Sequence, residues 1–242
     1  MAHKVFFVSG IDTGIGKTAA VGLMARYFAA RGVDAITVKM VQTGCDGFSE
    51  DLEAHRAISG VGEFPEDAEG LTAPQIFRFP SSPLLAARLE GRKVDVGAIR
   101  RAVRSCAERH DVVLVESAGG LDVPLSEDML SVDLAAEEGW PLVLVTCGRL
   151  GAINHALLSL DAAKSRGMEV AGVVHNAFLS DDPRLDADAE EAVLRHLSRL
   201  GFPARVVRMP RFPAGGPYPD IDFSELFSPQ ALSPRCTGPR VP

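Results

Sequence analysis

Long apolar runs, paired cysteines and basic clusters are all scarce in this sequence, and each shortage closes off a class of function. No hydrophobic stretch approaches the roughly 18–20 residues of a membrane-crossing helix, so a membrane partner is not expected. The chain passes from "MAHK" straight into a strand-like run, which leaves no room for a signal peptide. Its four cysteines, Cys45, Cys106, Cys147 and Cys236, are scattered and form neither CxxC nor Cys/His metal spacing. A reduced, cytoplasmic enzyme is therefore expected, in preference to a disulfide scaffold or zinc protein. The net charge is −7, and no lysine- and arginine-rich stripe is present to grip a phosphate backbone, which argues against nucleic acid as a partner.

The rest of the composition is that of an ordinary globular protein. Of 242 residues, 46% are hydrophobic and 24% charged, enough to bury one sizeable core. Short apolar runs at Val5–Ser9, Ala35–Lys39, Val112–Val115, Leu142–Thr146, Val170–Val174 and Arg205–Val207 read as strands. They are nearly continuous in Val, Ile, Leu and Phe, as in strands covered on both faces. Helical patterns fall between them at Thr18–Arg31, Pro83–Leu89, Val96–Arg109, Ile153–Arg166 and Ala187–Leu200. The alternation predicts an α/β fold, a mainly parallel sheet flanked by helices. This domain is assigned residues 1–211. Residues 212–242 are crowded with proline and glycine and read as a partly ordered tail, with one short helical turn at Asp222–Phe227.

The first strand runs into Gly10-Ile-Asp-Thr-Gly-Ile-Gly16-Lys17-Thr18 and then a helix. In that context the glycines let backbone N–H groups approach an anion, and the helix N-terminus adds partial positive charge. Lys17 is placed to reach β/γ-phosphates and Thr18 to ligate Mg²⁺. The loop has five residues between Gly10 and Gly16 where the general pattern has four. The strand–loop–helix context still identifies a nucleoside triphosphate site of the P-loop NTPase fold.

Three further pieces fall at strand ends on the sheet edge where α/β proteins bind ligands. "ITVKMVQTG" brings Lys39 and Thr43, and a second lysine there suits a transferring phosphoryl group or an anionic acceptor. The plain alternative is a solvated lysine. "DVVLVESAGG" delivers Glu116, in the position of a Mg²⁺-ordering acid, or else of a strand-end salt bridge. Asp51 in "SEDLEAHRA" offers a second acid or an ordinary helix-start aspartate. The late strand ends in "VVHNAF", without the Asn-Lys-x-Asp that reads guanine. The Asn176 amide matches an adenine edge, so ATP is favoured.

Taken together, the pieces resemble the dethiobiotin synthetase family. The resemblance rests on "VSGIDTGIGKT", "VKMVQTG", "FPSSPLLAARLEG", "VLVESAGGLDVPL", "GRLGAINHALLSLDAAKSRG" and "VAGVVHN", in that order, with "RMP" near Pro210 extending it. It implies an ATP- and Mg²⁺-dependent ligase of biotin biosynthesis. The substrates would be 7,8-diaminononanoate, CO₂ or bicarbonate, and ATP. A carbamate would form, be phosphorylated, and be closed to a cyclic urea by the neighbouring amine. By resemblance, Gly14, Ile15, Gly16, Lys17, Thr18 and Ala19 hold phosphates, with Gly119 beside them, and Thr18, Asp51 and Glu116 ligate Mg²⁺. Lys17 and Lys39 stabilise the carbamate and phosphoryl group. Thr13 and Thr43 position the diamine and carbamate, and Asn176 and Pro210 flank adenine. Gly151 and Asn154 receive the substrate carboxylate across a homodimer interface.

Some residues depart from the family pattern. Met40 stands where proline is usual, Ser117 where glycine is usual, and the segment from Phe212 has no counterpart. The rival readings are another cofactor-biosynthesis synthetase, such as a cobyrinate a,c-diamide synthetase, and a partitioning or positioning ATPase switch. The first usually adds a glutamine-hydrolysing domain; the second carries an early loop lysine where Ile11 stands here. Of the remaining polar residues, His155 reads as packing or capping and His175 as shaping the nucleotide pocket. His110 and His196 read as solvated, and Trp140 as a packing residue. Asp181–Glu191 reads as a loop followed by an exposed helix face.

Overall fold

A computed structural model describes residues 5–180, 182–213 and 215–228. Cys236, Asp181 and the end of the Pro/Gly-rich segment lie outside the described residues. The strands are β1 (Val5–Gly10), β2 (Ala35–Lys39), β3 (Gln42–Thr43), β4 (Ile76–Phe77), β5 (Val112–Gly120), β6 (Leu142–Cys147), β7 (Val170–Asn176) and β8 (Val206–Met209). The helices are α1 (Lys17–Ala29), α2 (Glu50–Ser59), α3 (Pro65–Ala68), α4 (Pro83–Leu89), α5 (Val96–Arg109), α6 (Ser131–Glu137), α7 (Ala152–Ser165) and α8 (Pro183–Leu200).

Six strands form one parallel sheet in the order β2-β5-β1-β6-β7-β8, and β3 and β4 make a small parallel pair outside it. Every residue of β2, β6 and β7 is buried. Because successive side chains point to opposite faces, both faces must be covered. This is the α/β sheet that the apolar runs predict. β1 lies between β5 and β6, so the chain after β1 and the chain after β6 leave toward opposite sides. That reversal opens a crevice at the strands' C-terminal ends. The loops after β1, β2 and β5 converge there.

The elements differ from the sequence reading mainly at their ends. β5 runs on from Val115 to Gly120 because Gly120 pairs with Gly10 of β1. α8 begins at Pro183, with the Asp182 side chain accepting from the Arg184 N–H. The sequence reading did not give α2, α3, α6, β3 or β4. α2 carries a clear start signal: Ser49 Oγ accepts from the Leu52 N–H, and acidic residues fill its first turn. It packs directly on α1, since a Cβ on Gly22 would sit 2.7 Å from Ile58 Cβ.

Some polar residues are less solvated than their surroundings in the sequence suggest. His110 and His196, expected in water, are buried, with Asp34 at 3.1 Å from His110 Nδ1 and Asp161 at 2.8 Å from His196 Nε2. Asp186, expected on an exposed helix face, is buried and accepts from His175 and Arg208. In each case a partner distant in the chain satisfies a group that would be costly to bury alone. Trp140 is buried, as a packing residue should be.

The Pro/Gly-rich segment, in its described part, is a packed strap. Ser224–Leu226 form a short 3₁₀ turn, where the sequence places a helical turn. Phe223, Leu226 and Phe227 are buried. Phe227 meets Phe6 edge-on at 4.8 Å between ring centroids and Phe28 at 4.7 Å, while Phe223 meets Tyr27 at 5.8 Å. Leu226 lies against Gly172 of β7, where an added Cβ would be 2.5 Å from Leu226 Cδ2. Phe223→Ala is therefore expected to cost about 3–5 kcal/mol of unfolding free energy in urea melts. A loss below about 1 kcal/mol would show that the strap is not part of the core.

Candidate active site

The loop after β1 is pinned by its own isoleucines. Ile11 and Ile15 are buried, and the Ile11 N–H donates to Val145 O of β6. The first residue of this longer loop is thus bonded to a strand. Gly16, at φ 97°, turns the chain into α1, and a Cβ there would lie 2.5 Å from Asn176 Nδ2. Asn176 donates to Ile15 O at 2.9 Å and accepts from the Phe178 N–H at 3.0 Å. Arg149, in the loop after β6, forms an ion pair with Asp12. Lys17 is buried and donates back to Asp12 O at 3.1 Å.

Beside this loop sits a buried charge cluster. Lys39, the last residue of β2, is paired in register with Glu116 of the adjacent β5, so their side chains emerge on one face. Lys39 Nζ lies 2.8 Å from Glu116 Oε1 and 2.6 Å from Asp51 Oδ2, and it donates to Ser117 O at 3.2 Å. Thr18 Oγ1 lies 2.7 Å from Asp51 Oδ1 and 3.1 Å from Glu116 Oε1. Burial alone would lower Lys39, but Glu116 and Asp51 outweigh it and hold the ammonium above its ordinary range. Burial likewise pushes Glu116 up, yet Lys39 and His55 keep its carboxyl well below the usual range. Both groups are therefore charged at neutral pH.

Two cavities adjoin here, and the charged cluster lines the first of them. One, of about 280 Å³, is lined by Thr13 to Thr18 together with Lys39, Thr43, Asp51 and Glu116. The other, of about 530 Å³, opens between the Pro80–Pro83 turn and Val123. Thr13, Thr43, Ala118 and Gly119 line both. Gly151, Asn154, Asn176 and Pro210 line neither. Gly151 and Asn154 are exposed at the start of α7, and Pro210 is exposed just after β8. Ala19 sits in the first turn of α1, half-buried.

The oxygens of Thr18, Asp51 and Glu116 converge as hard donors. Among the described residues no group of three or more His, Cys, Asp or Glu cages a metal. Such a set suits Mg²⁺, which takes one or two carboxylates and completes its shell with water and phosphate oxygens.

A protein-family profile described as an AAA domain matches residues 4–210. An ATP-dependent dethiobiotin synthetase BioD of Chlorobaculum tepidum is 46% identical over 202 residues, 84% of either chain. An ATP-dependent dethiobiotin synthetase BioD 2 of Haemophilus influenzae is 46% identical over 175 residues, 72% of this chain and 92% of that one. The chain belongs to the dethiobiotin synthetase family. Among solved structures, a ParA family ATPase from Chlorobium tepidum TLS superposes with a TM-score of 0.50 at 15% identity, covering 87% of this chain and 85% of that one. That likeness extends to the fold alone.

The two single-residue departures from the dethiobiotin synthetase pattern have visible roles here. Met40 keeps an N–H that proline would lack, and it donates to Glu116 O at 3.0 Å. Ser117 turns its hydroxyl to Ser9 Oγ at 2.9 Å, fully buried, and does not line the phosphate cavity. The sequence reading missed His55 and Arg149. The signal for His55 was its spacing: it follows Asp51 by four residues, which puts both on one face of α2.

Lys17 gives the site a pH dependence. Burial lowers its ammonium to about 8, with Glu116 pulling the other way. The unfolded chain holds that proton up to about 10.5, so the free protein gains stability as pH rises between these values. Phosphate binding favours the ammonium and takes up a proton above pH 8. Affinity for ADP is expected to fall about tenfold per pH unit above 8. Titration calorimetry at pH 8.5–9.5, in buffers of different ionisation enthalpy, should read that uptake. A flat affinity would mean that Lys17 is not the phosphate-holding cation.

Proposed function

We propose that the protein is an ATP-dependent synthetase that closes 7,8-diaminononanoate and CO₂ into dethiobiotin. The observation that supports this most directly is the pair of cavities joined across Thr13, Thr43, Ala118 and Gly119, beside a buried lysine. A nucleotide switch needs the phosphate cradle alone. A ligase that phosphorylates a second small molecule needs an adjoining chamber and cations in the cradle beside it, as Lys17 and Lys39 are here.

In this reading one amine of the diamine attacks CO₂, forming an N–C bond and losing a proton to give a carbamate. A carbamate oxygen attacks the γ-phosphorus of ATP, and ADP leaves. The second amine attacks the carbonyl carbon of the mixed anhydride, and inorganic phosphate leaves. The substrate supplies both nucleophiles, so the protein contributes position and charge. Backbone N–H groups from Gly14 to Ala19 and the Lys17 ammonium hold phosphates. Thr13 and Thr43, shared by the two cavities, orient the carbamate. Lys39 offsets the repulsion between two anions that must meet. Mg²⁺, held by Thr18, Asp51 and Glu116, would neutralise charge on the phosphate oxygens.

ATP as the phosphoryl donor follows the relatives' printed names. Adenine contacts by Asn176 would require its amide to exchange its bonds to Ile15 and Phe178 for the base. A homodimer with Gly151 and Asn154 facing the partner's substrate is supported by the exposure of that helix, with Leu150 just before its start 84% exposed and Leu158 in its middle 59% exposed.

The test is phosphate release with ATP, Mg²⁺ and bicarbonate, with and without the diamine, and identification of the product by mass. Diamine-independent release would sink the reading. Lys39→Gln is chosen over alanine because it fills the space left beside the buried Glu116 and the half-buried Asp51. It is expected to lower kcat by about 10²–10³-fold while ADP affinity stays within about threefold. Normal turnover by a folded Lys39→Gln variant would remove Lys39 from the chemistry.

A further inference from the structure

Glu116 has a partner that the reaction scheme leaves unused. His55 is fully buried on α2, one turn after Asp51. Its Nε2 lies 2.7 Å from Glu116 Oε2 and its Nδ1 3.0 Å from Thr37 Oγ1. Thr37 shares a sheet face with Lys39, two residues on, and accepts from Arg56 Nη1 at 2.7 Å. The Arg56 guanidinium is in turn held by Asp67, at 2.6 Å and 3.1 Å. One chain of contacts therefore runs from Asp67 through Arg56, Thr37 and His55 to Glu116.

The direction of the last bond follows from its partners. Glu116 faces the Lys39 ammonium, is a carboxylate, and only accepts. The proton in the 2.7 Å contact therefore sits on His55 Nε2. With Oε2 engaged in this way, Oε1 is the oxygen left to face Lys39 and Thr18. Without the imidazole the carboxylate would be free to turn about its last torsion, which is soft. It could then present either oxygen, or both, to the cleft.

We propose that His55 is a positioning residue, which holds Glu116 so that a single oxygen, Oε1, is offered to a divalent cation and to Lys39. The proposal rests on reading Thr18, Asp51 and Glu116 as the cation's ligands. It adds to that reading a residue touching neither nucleotide nor acceptor. It also explains why an imidazole occupies a wholly buried place, where an aliphatic residue would pack without needing two polar partners.

The test separates the two claims. Wild-type protein, His55→Gln and His55→Asn are compared for ADP affinity by calorimetry, with Mg²⁺ and with EDTA, and for Mn²⁺ binding by electron paramagnetic resonance. A glutamine amide reproduces the position of Nε2, whereas an asparagine amide reproduces Nδ1 and reaches Thr37 only. The expected result is unchanged ADP affinity in EDTA for all three proteins. In Mg²⁺ or Mn²⁺, His55→Asn should lose about 10-fold or more in cation affinity, and His55→Gln should recover most of it. A folded His55→Asn that matches wild type overturns the proposal, and so does a His55→Gln as impaired as His55→Asn. If the wild type shows no Mg²⁺ dependence of ADP binding, the reading of the ligands fails and the proposal fails with it. ¹⁵N NMR of the unmutated protein gives a check independent of folding: a protonated Nε2 is expected, and a bare Nε2 overturns the assignment.

Discussion

The site depends on one buried contact, the Lys39 ammonium held between Glu116 and Asp51. Burying any one of these charges alone would cost several kcal/mol, and the arrangement survives because each is paired and hydrogen-bonded. The contact also fixes geometry. It requires β2 and β5 to be adjacent and in register, so that Lys39 faces Glu116, and it requires α2 to begin close enough for Asp51 to reach in. Once those three elements are placed, Thr18 at the start of α1 meets both acids. The phosphate loop, the second lysine and the acids become one site by sharing a few oxygens.

The loop itself is kept rigid by means other than glycine. Ile11 and Ile15 anchor it in the core, Arg149 holds Asp12 from the neighbouring loop, and the Asn176 amide closes over Ile15. These braces come from β6 and β7, on the far side of β1 from the charged cluster. The central strand thus has the charged cluster on one side and its mechanical supports on the other. The aromatic strap packs on Phe6, at the opposite end of β1 from the loop. Its contribution is to the core and remains remote from the cleft.

Much of this was legible in the chain, for reasons that particular residues make clear. Buried parallel strands are written as apolar runs, and their C-terminal ends are where ligands bind, so Lys39 and Glu116 could be placed at one edge from the sequence. Asp51 was legible as a second acid or a helix-start aspartate; it does lie in a helix's first turn, and it also meets Lys39, which neither reading included. What the chain did not disclose were pairings between buried polar groups. His55 and Glu116 are 61 residues apart; the spacing from Asp51 sets the face on which His55 lies, but nothing local tells that the face is sealed against a carboxylate. His110, His196 and Asp186 were misread for the same reason. The strap was hidden by composition, because its prolines and glycines outnumber the few aromatic residues that bury it.

The charges of the site lead to a last step. Lys17 and Lys39 balance Asp51 and Glu116, and Arg149 balances Asp12, so the cleft brings no net positive charge to its ligands. A triphosphate beside a second anion would then meet a site that cancels itself and cannot hold them through its lysines alone. In the proposed reaction, turning the two acids toward a divalent cation would change this, because the cation would neutralise the acids and release the lysines to face phosphate and acceptor. A cluster that first pairs with itself, and then divides between cation and anions as they bind, also keeps Glu116 and Lys39 from lying buried and unpaired at either stage. In the proposed reaction the acids would then be as necessary to anion binding as the lysines, and the orientation of Glu116 would be the detail on which the exchange turns.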